Sequence, residues 1–187
     1  MKVIQLYNNE SQLIKKAARN GREAQHKIYS KYAPKMLSVC RQYIKDVHNA
    51  EEVMVGGFFK VFSNLKNFKN EGSFEGWIRK IMIRECISFL RSNKRKNFAA
   101  DVVQSVPEVS NNINSQLELD YIQSLIDDLP EGYKMVFVLF AVEGYQHHEI
   151  AKMLNISEGT SKSQLFKARK ILQEKINSSN ASEYGTT

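Results

Sequence analysis

The chain has 187 residues, a formal net charge of +7 and a hydrophobic fraction of 42%, enough for one medium core or two small ones. That composition excludes disorder throughout. The longest apolar runs fall well short of the roughly 18 residues a membrane span needs, and MKVIQLYNNESQ lacks a signal-peptide core, so a cytoplasmic location is expected.

Charge is unevenly placed. Residues 1–98 hold 20 Lys/Arg against 8 Asp/Glu, residues 99–115 carry −2, and residues 116–187 hold 7 against 10. The positive field therefore belongs to the N-terminal half and favours a polyanionic partner there.

Helical periodicity runs along the chain, and no strand alternation is evident. A first helix is expected over Glu10–Asn20, closed by Gly21, and a second over Glu23–Ile44. The second has a stripe of Ile28, Tyr32, Met36, Leu37, Cys40 and Ile44. Pro34 should restart or kink it, since proline lacks an N–H and crowds the preceding turn. Cys40 and Cys86 fall in apolar patterns and read as buried free thiols.

Asn49 is expected to cap a third helix, with Glu52 as its capping-box partner. Ala50, Val53, Met54, Gly57, Phe58, Val61, Phe62 and Leu65 form its core face. Its other face carries Glu52, Val55, Gly56 and Phe59, and solvent does not select Val55 or Phe59. Either a partner covers that face or the domain sandwiches the helix on both sides.

The loop KNFKNEG, Lys66–Gly72, is basic and contains Phe68. Ser73 should cap a fourth helix from Phe74 to about Lys94, which adds Arg79, Lys80, Arg84 and Arg91. Cations beside Phe68, Phe74 and Trp77 suit unpaired nucleic acid, where phosphates meet the charges and bases stack. The spacing of Phe74 and Trp77 equally fits a hydrophobic core.

Residues 97–115 show no periodicity and read as a tether. A second domain over 116–177 opens with Gln116–Leu129, whose apolar residues are Leu117, Leu119, Ile122, Leu125 and Ile126. It restarts at Pro130 and runs on to Val142. Gln146–Leu154, the joint Asn155-Ile156-Ser157 and a helix to about Ile176 then form a helix-turn-helix. Ser157 is its N-cap, and the polar start of the last helix suits a major groove. An ordinary helical hairpin has the same outline. Residues 178–187 are polar and expected to be disordered.

His147-His148-Glu149 suggests a metal site, but neighbouring helical histidines point roughly 100° apart and no further ligand stands at suitable spacing. No metal site, cofactor or catalytic constellation is expected, and nothing points to an enzyme.

Both halves together resemble the extracytoplasmic-function group of bacterial RNA polymerase sigma factors, with regions two and four. NAEEVMVGGFFKVFSNLKNFKNEGSFEGWIRKIMIRECISFLRSNKRK follows the region-two pattern, and LPEGYKMVFVLFAVEGYQHHEIAKMLNISEGTSKSQLFKARKIL follows region four. The resemblance implies an all-α, two-domain protein that binds core RNA polymerase and directs it to promoter DNA. Residues 1–96 would form the region-two domain.

Further roles follow from that resemblance. Glu52, Val55, Gly56 and Phe59 would meet the clamp helices of the largest polymerase subunit. The flap of the second-largest subunit would be another contact. Lys66, Lys69, Asn70, Ser73, Phe74, Trp77, Arg84 and Arg91 would handle the minus-ten element, and Thr160, Lys162, Ser163, Phe166, Lys167 and Arg169 the minus-thirty-five element. An anti-sigma factor is a candidate further partner. The family usually has Gln followed by an acidic residue where this chain has Val55-Gly56, so weaker polymerase binding, or binding more reliant on apolar area, is expected. The competing expectation is an autonomous helix-turn-helix regulator, which would not need the pattern of residues 49–96.

Overall fold

The computed structural model describes residues 3–97 and 115–183, with side chains described over 10–93 and 120–178. The chain divides into two compact units, Met1–Asp101 and Val102–Thr187. Among the described residues both are entirely helical. Most of the expected tether lies outside the described residues, and so do the side chains of Leu117 and Leu119.

The first unit contains α1 (Val3–Ala18), α2 (Arg22–Tyr43), α3 (Val47–Ser63), a single 3-10 turn at Leu65–Asn67, and α4 (Phe74–Asn97). Its core joins Ile28, Met36, Cys40 and Tyr43 of α2 to Ala50, Phe58 and Val61 of α3 and Ile78, Met82 and Cys86 of α4, all almost fully buried. Both cysteines are free, and the thiol of Cys86 is pushed well up by its hydrogen bond with Cys40 and by burial, which keeps it protonated.

Several local expectations are corrected. Asn20, not Gly21, takes the left-handed conformation that closes α1, with φ 62°. Gly21 begins α2 instead, and a Cβ there would lie 2.8 Å from the Lys16 carbonyl oxygen. Helix α2 passes through Pro34 as one helix. The helix therefore does not restart at Pro34, although the missing N–H costs it one rung of the ladder. Asp46, not Asn49, caps α3, its carboxylate accepting from the Asn49 N–H at 2.8 Å. Aspartate accepts well and sits before the first turn, whereas Asn49 lies already inside it.

The second unit contains α5 (Ser115–Asp127), α6 (Glu131–Phe137), a π turn over Val138–Val142, α7 (His147–Leu154) and α8 (Glu158–Glu183). Leu125, Ile126, Leu129, Val136, Leu139, Ile150, Leu165 and Ala168 form its core. Ile122, expected on the apolar face of α5, is 52% exposed. Helix α8 continues past Ile176 through residues expected to be disordered, because no glycine or proline interrupts it before Gly185.

Candidate nucleic-acid and polymerase surfaces

Three surfaces emerge from this packing, two on the first unit and one on the second. The first is the outer face of α3. Residues 52, 55, 56 and 59 share one side of a helix by their spacing. Glu52 and Gly56 are exposed, as are Val55 at 54% and Phe59 at 74%. Among the described residues no element of the first unit covers this side, which goes against the sandwich expectation. The two glycines also separate. A Cβ on Gly57 would lie 2.3 Å from Met82 Sδ, so this glycine lets α3 approach α4 closely. A Cβ on Gly56 would meet nothing within 4 Å, so no packing inside the unit calls for glycine there.

The second surface lies where the 3-10 turn and its loop meet α4. Ser73 Oγ accepts from the Gly76 N–H at 3.3 Å and starts the helix as expected. Behind it, Phe68, Phe74 and Trp77 form an aromatic cluster with ring centroids 5.0–5.9 Å apart, Phe74 and Trp77 stacked within 16°. Phe74 also meets Tyr32 edge-on and is only 4% exposed. It is therefore the floor of the cluster rather than a group that can reach DNA, a correction to its expected role. Its apolar ring is held in place by α2 beneath it.

Trp77 is half-buried and forms one wall of a cleft of about 340 Å³, with Lys60, Asn64, Asn67, Ile81, Arg84 and Glu85. Asn64, Asn67 and Lys60 were not singled out in the sequence. The packing of α3 on α4 brings Lys60 to this cleft, and the turn after α3 brings Asn64 and Asn67. Lys60 is neutralised there by Glu85 at 2.7 Å. Lys66, Lys69, Asn70, Arg84 and Arg91 are exposed. Trp77, Arg84 and Arg91 follow one another at two-turn intervals, roughly 10 Å each, along one side of α4. Asn70 at φ 59° and Gly72 at φ 98° bend the loop toward this end of the helix.

The third surface is the N-terminal half of α8. Asn155 at φ 55° makes the sharp turn after α7, which asparagine tolerates better than other side-chain-bearing residues. Ser157 Oγ accepts from the Thr160 N–H at 2.9 Å, the expected cap. The Thr160 hydroxyl bonds to the same oxygen at 2.8 Å, so Thr160 is committed to the cap and only half-accessible. Ser161 is fully buried and shares a 2.9 Å hydrogen bond with His147 Nδ1, which ties α8 to α7. His147 also stacks on Phe140 at 4.7 Å, and the Arg169 guanidinium lies 5.6 Å from the same ring. Of the His-His-Glu run, His147 thus packs against α8 and Phe140, His148 is exposed, and Glu149 accepts from the Gln146 N–H at 2.8 Å to cap α7.

Lys162, Ser163, Phe166 and Lys167 project outward on the side opposite Ser161, Leu165 and Ala168. The Ser163 hydroxyl donates to the Thr160 carbonyl at 3.0 Å and leaves lone pairs facing out as acceptors. Lys167 reaches over Tyr133 at 5.9 Å.

Residues 28–96 match the family described as Sigma-70 region 2, and residues 119–172 match Sigma-70, region 4. The RNA polymerase sigma-H factor of Pseudomonas aeruginosa is 22% identical over 180 residues, covering 89% of this chain and 93% of its own. The ECF RNA polymerase sigma-E factor of Escherichia coli K12 is 23% identical over 177 residues, covering 88% and 92%. In fold, the chain is similar to the sigma factor RpoE of Bartonella quintana, solved with the anti-sigma factor NepR, at TM-score 0.57 and 19% identity over 81% of this chain and 96% of that one. It is also similar to CnrH, solved with the cytosolic domain of CnrY, at TM-score 0.51 and 19% identity over 89% and 96%.

Proposed function

Because the chain belongs to the sigma-70 family, in its extracytoplasmic-function group with regions two and four, we propose residue roles for its established task. As an RNA polymerase sigma factor it binds core polymerase and directs initiation at promoters. The observation that carries the reading is the α3 face with Val55 and Phe59 uncovered, on the same unit as a basic aromatic cleft.

Phe59 and Val55 are the apolar centre of the polymerase contact, with Glu52 as its charged edge. Burying a phenylalanine from water contributes about 1.5–3 kcal/mol, so Phe59 can offset part of what the missing polar pair at Val55-Gly56 would supply. The Trp77 cleft receives a base drawn from the minus-ten element. Arg84 and Arg91 hold the backbone beyond it, and Lys66, Lys69, Asn70 and Ser73 line the approach. Unstacking a base costs a few kcal/mol, which cleft contacts and bound polymerase must offset together.

Lys162, Ser163, Phe166 and Lys167 meet the minus-thirty-five duplex, while Thr160 and Arg169 support them near the backbone. The polymerase supplies the chemistry, and the chain acts by placing it. Among the described residues no helix is long and apolar enough to cross a membrane, which fits action on DNA in the cytoplasm. RpoE and CnrH were solved with protein partners, and the uncovered α3 face is a surface an anti-sigma factor would cover when polymerase is absent.

Transcription with purified core polymerase tests the reading. The chain should yield transcripts that start at defined promoters, and Trp77→Ala should lower open-complex formation more than polymerase binding. Absence of any promoter-specific transcript would leave an autonomous DNA-binding regulator as the better account.

A further inference from the structure

The turn between α1 and α2 opens onto a cleft that shares no residue with the α3 face, the Trp77 cleft or α8. Its volume is about 770 Å³, and five cations line it, Lys16, Arg19, Arg22, Lys27 and Lys31, against two carboxylates. The carboxylates are already engaged. Glu23 accepts from Lys27 at 2.6 Å, and Glu10 accepts from Lys31 at 2.5 Å. Among the described residues no ion pair engages Lys16, Arg19 or Arg22, and all three are exposed. The cleft therefore keeps a surplus of three positive charges.

Local geometry gathers that surplus. The Lys16 carbonyl accepts from the Arg19 and Gly21 N–H groups at 3.2 and 3.1 Å, and Asn20 takes φ 62° between them. Arg19 and Arg22 thus flank one tight turn, with Lys16 a turn back along α1. Like charges brought this close repel one another, and a bound anion relieves the repulsion. The volume lies within the range of small-molecule sites. A guanidinium presents a planar fork of donors that meets phosphate oxygens in pairs. A short phosphate chain concentrates several charges in a few ångströms. An acidic peptide carries its carboxylates on separate side chains, and a nucleic-acid strand separates its phosphates by sugars. Neither brings three charges into one cleft so compactly.

We propose that the cleft between α1 and α2 binds a compact oligophosphate, the chemistry shared by inorganic polyphosphate and the phosphate chain of a nucleotide. Arg19 and Arg22 fork its oxygens, and Lys16 completes the neutralisation. Glu10 in the same cleft also accepts from Tyr32, whose ring meets Phe74 edge-on. The wall of the anion site is therefore continuous with the floor of the aromatic cluster.

Isothermal titration of the full chain at about 0.15 M ionic strength, where diffuse surface attraction is screened, tests the proposal. The probes are inorganic tripolyphosphate, adenosine triphosphate and adenosine. Both phosphate chains should bind, and adenosine should not. Tighter binding of adenosine triphosphate identifies a nucleotide as the ligand, tighter binding of tripolyphosphate identifies free polyphosphate, and equal affinity identifies the phosphate chain alone. Arg19→Ala with Arg22→Ala should weaken binding about tenfold or more, because charge-assisted hydrogen bonds are lost. Arg19→Lys with Arg22→Lys should fall between, since it keeps the charge without the fork. Lys80→Ala removes an exposed cation of α4 outside the cleft and should leave affinity unchanged.

Helical content and the urea midpoint check that each variant folds. The proposal is overturned if tripolyphosphate does not bind at millimolar concentration, if adenosine binds as well as the triphosphate, or if Lys80→Ala weakens binding as much as the arginine pair. It is equally overturned if a polyglutamate peptide or a single-stranded oligonucleotide binds more tightly through the same arginines.

Discussion

Gly57 and Met82 interlock: a single added carbon on Gly57 would stand 2.3 Å from the methionine sulfur. Helices α3 and α4 meet at this point, on the side of α3 that carries Gly57 rather than on its exposed Val55–Phe59 face. Adjacent Gly56 has no such neighbour. Gly57→Ala should therefore destabilise the first unit by about 1–3 kcal/mol through overpacking. Gly56→Ala should stabilise it by up to about 1 kcal/mol, because glycine in a helix interior loses more backbone entropy. Urea unfolding of the two variants gives opposite signs if this packing is right.

Phe59→Asp should separate binding from folding. The ring is 74% exposed, so the helix and its unfolding transition should change little. Loss of its burial against polymerase should weaken core binding about tenfold or more. The converse pair, Val55→Gln with Gly56→Glu, should strengthen binding if the missing polar groups matter. Titration of labelled core polymerase reads both. Equal affinity of the polar variant and the unaltered chain would show that apolar area suffices.

The turn between α7 and α8 should respond to backbone chemistry. Ser157→Ala removes the cap oxygen that serves Thr160 and should cost about 1 kcal/mol. Asn155 has φ 55°, so Asn155→Val should cost about 1–2 kcal/mol while Asn155→Gly changes little. Thermal unfolding of the second unit, followed with holoenzyme binding to the minus-thirty-five duplex, should show both properties falling together for Ser157→Ala and Asn155→Val.

Glu10 fastens α1 to α2 by accepting from Lys31 and Tyr32. Burial raises its carboxyl pKa, but those hydrogen bonds outweigh burial and hold it below the usual 4.5. Burial, then the bond to Glu10, pushes the Tyr32 phenol up to about 12. The signs are opposite in pH. The carboxylate's contribution is present above pH 4.5 and is lost as pH falls through its lower folded value. The phenol's contribution is present below 10.0 and is lost as pH rises toward about 12. Glu10→Gln should flatten the acid limb of stability against pH, and Tyr32→Phe should flatten the alkaline limb. Urea unfolding across pH measures each.

Much of the molecule was legible in the residues alone. The 3–4 spacing in α3 marks Ala50, Met54, Phe58 and Val61 as core, and the SEGT start of α8 marks a capped helix, because periodicity and capping act over one or two turns. The stray apolar pair Val55 and Phe59 already indicates that something covers α3. The sequence, however, leaves open whether the cover is internal or external. Tertiary structure decided only that no described part of the first unit is that cover, since what covers a face depends on residues distant in the chain. It also buried Phe74 and left Trp77 lining a cleft, although both are aromatics at helical spacing. Their fates differ because Tyr32 of α2 and Phe68 of the loop pack against them from particular sides. Asp46 displaced Asn49 as a cap for a similar reason, the path of the chain out of α2. Local chemistry thus determined which segments are helices and what they could bind, while long-range packing decided which side chains remain free to do it.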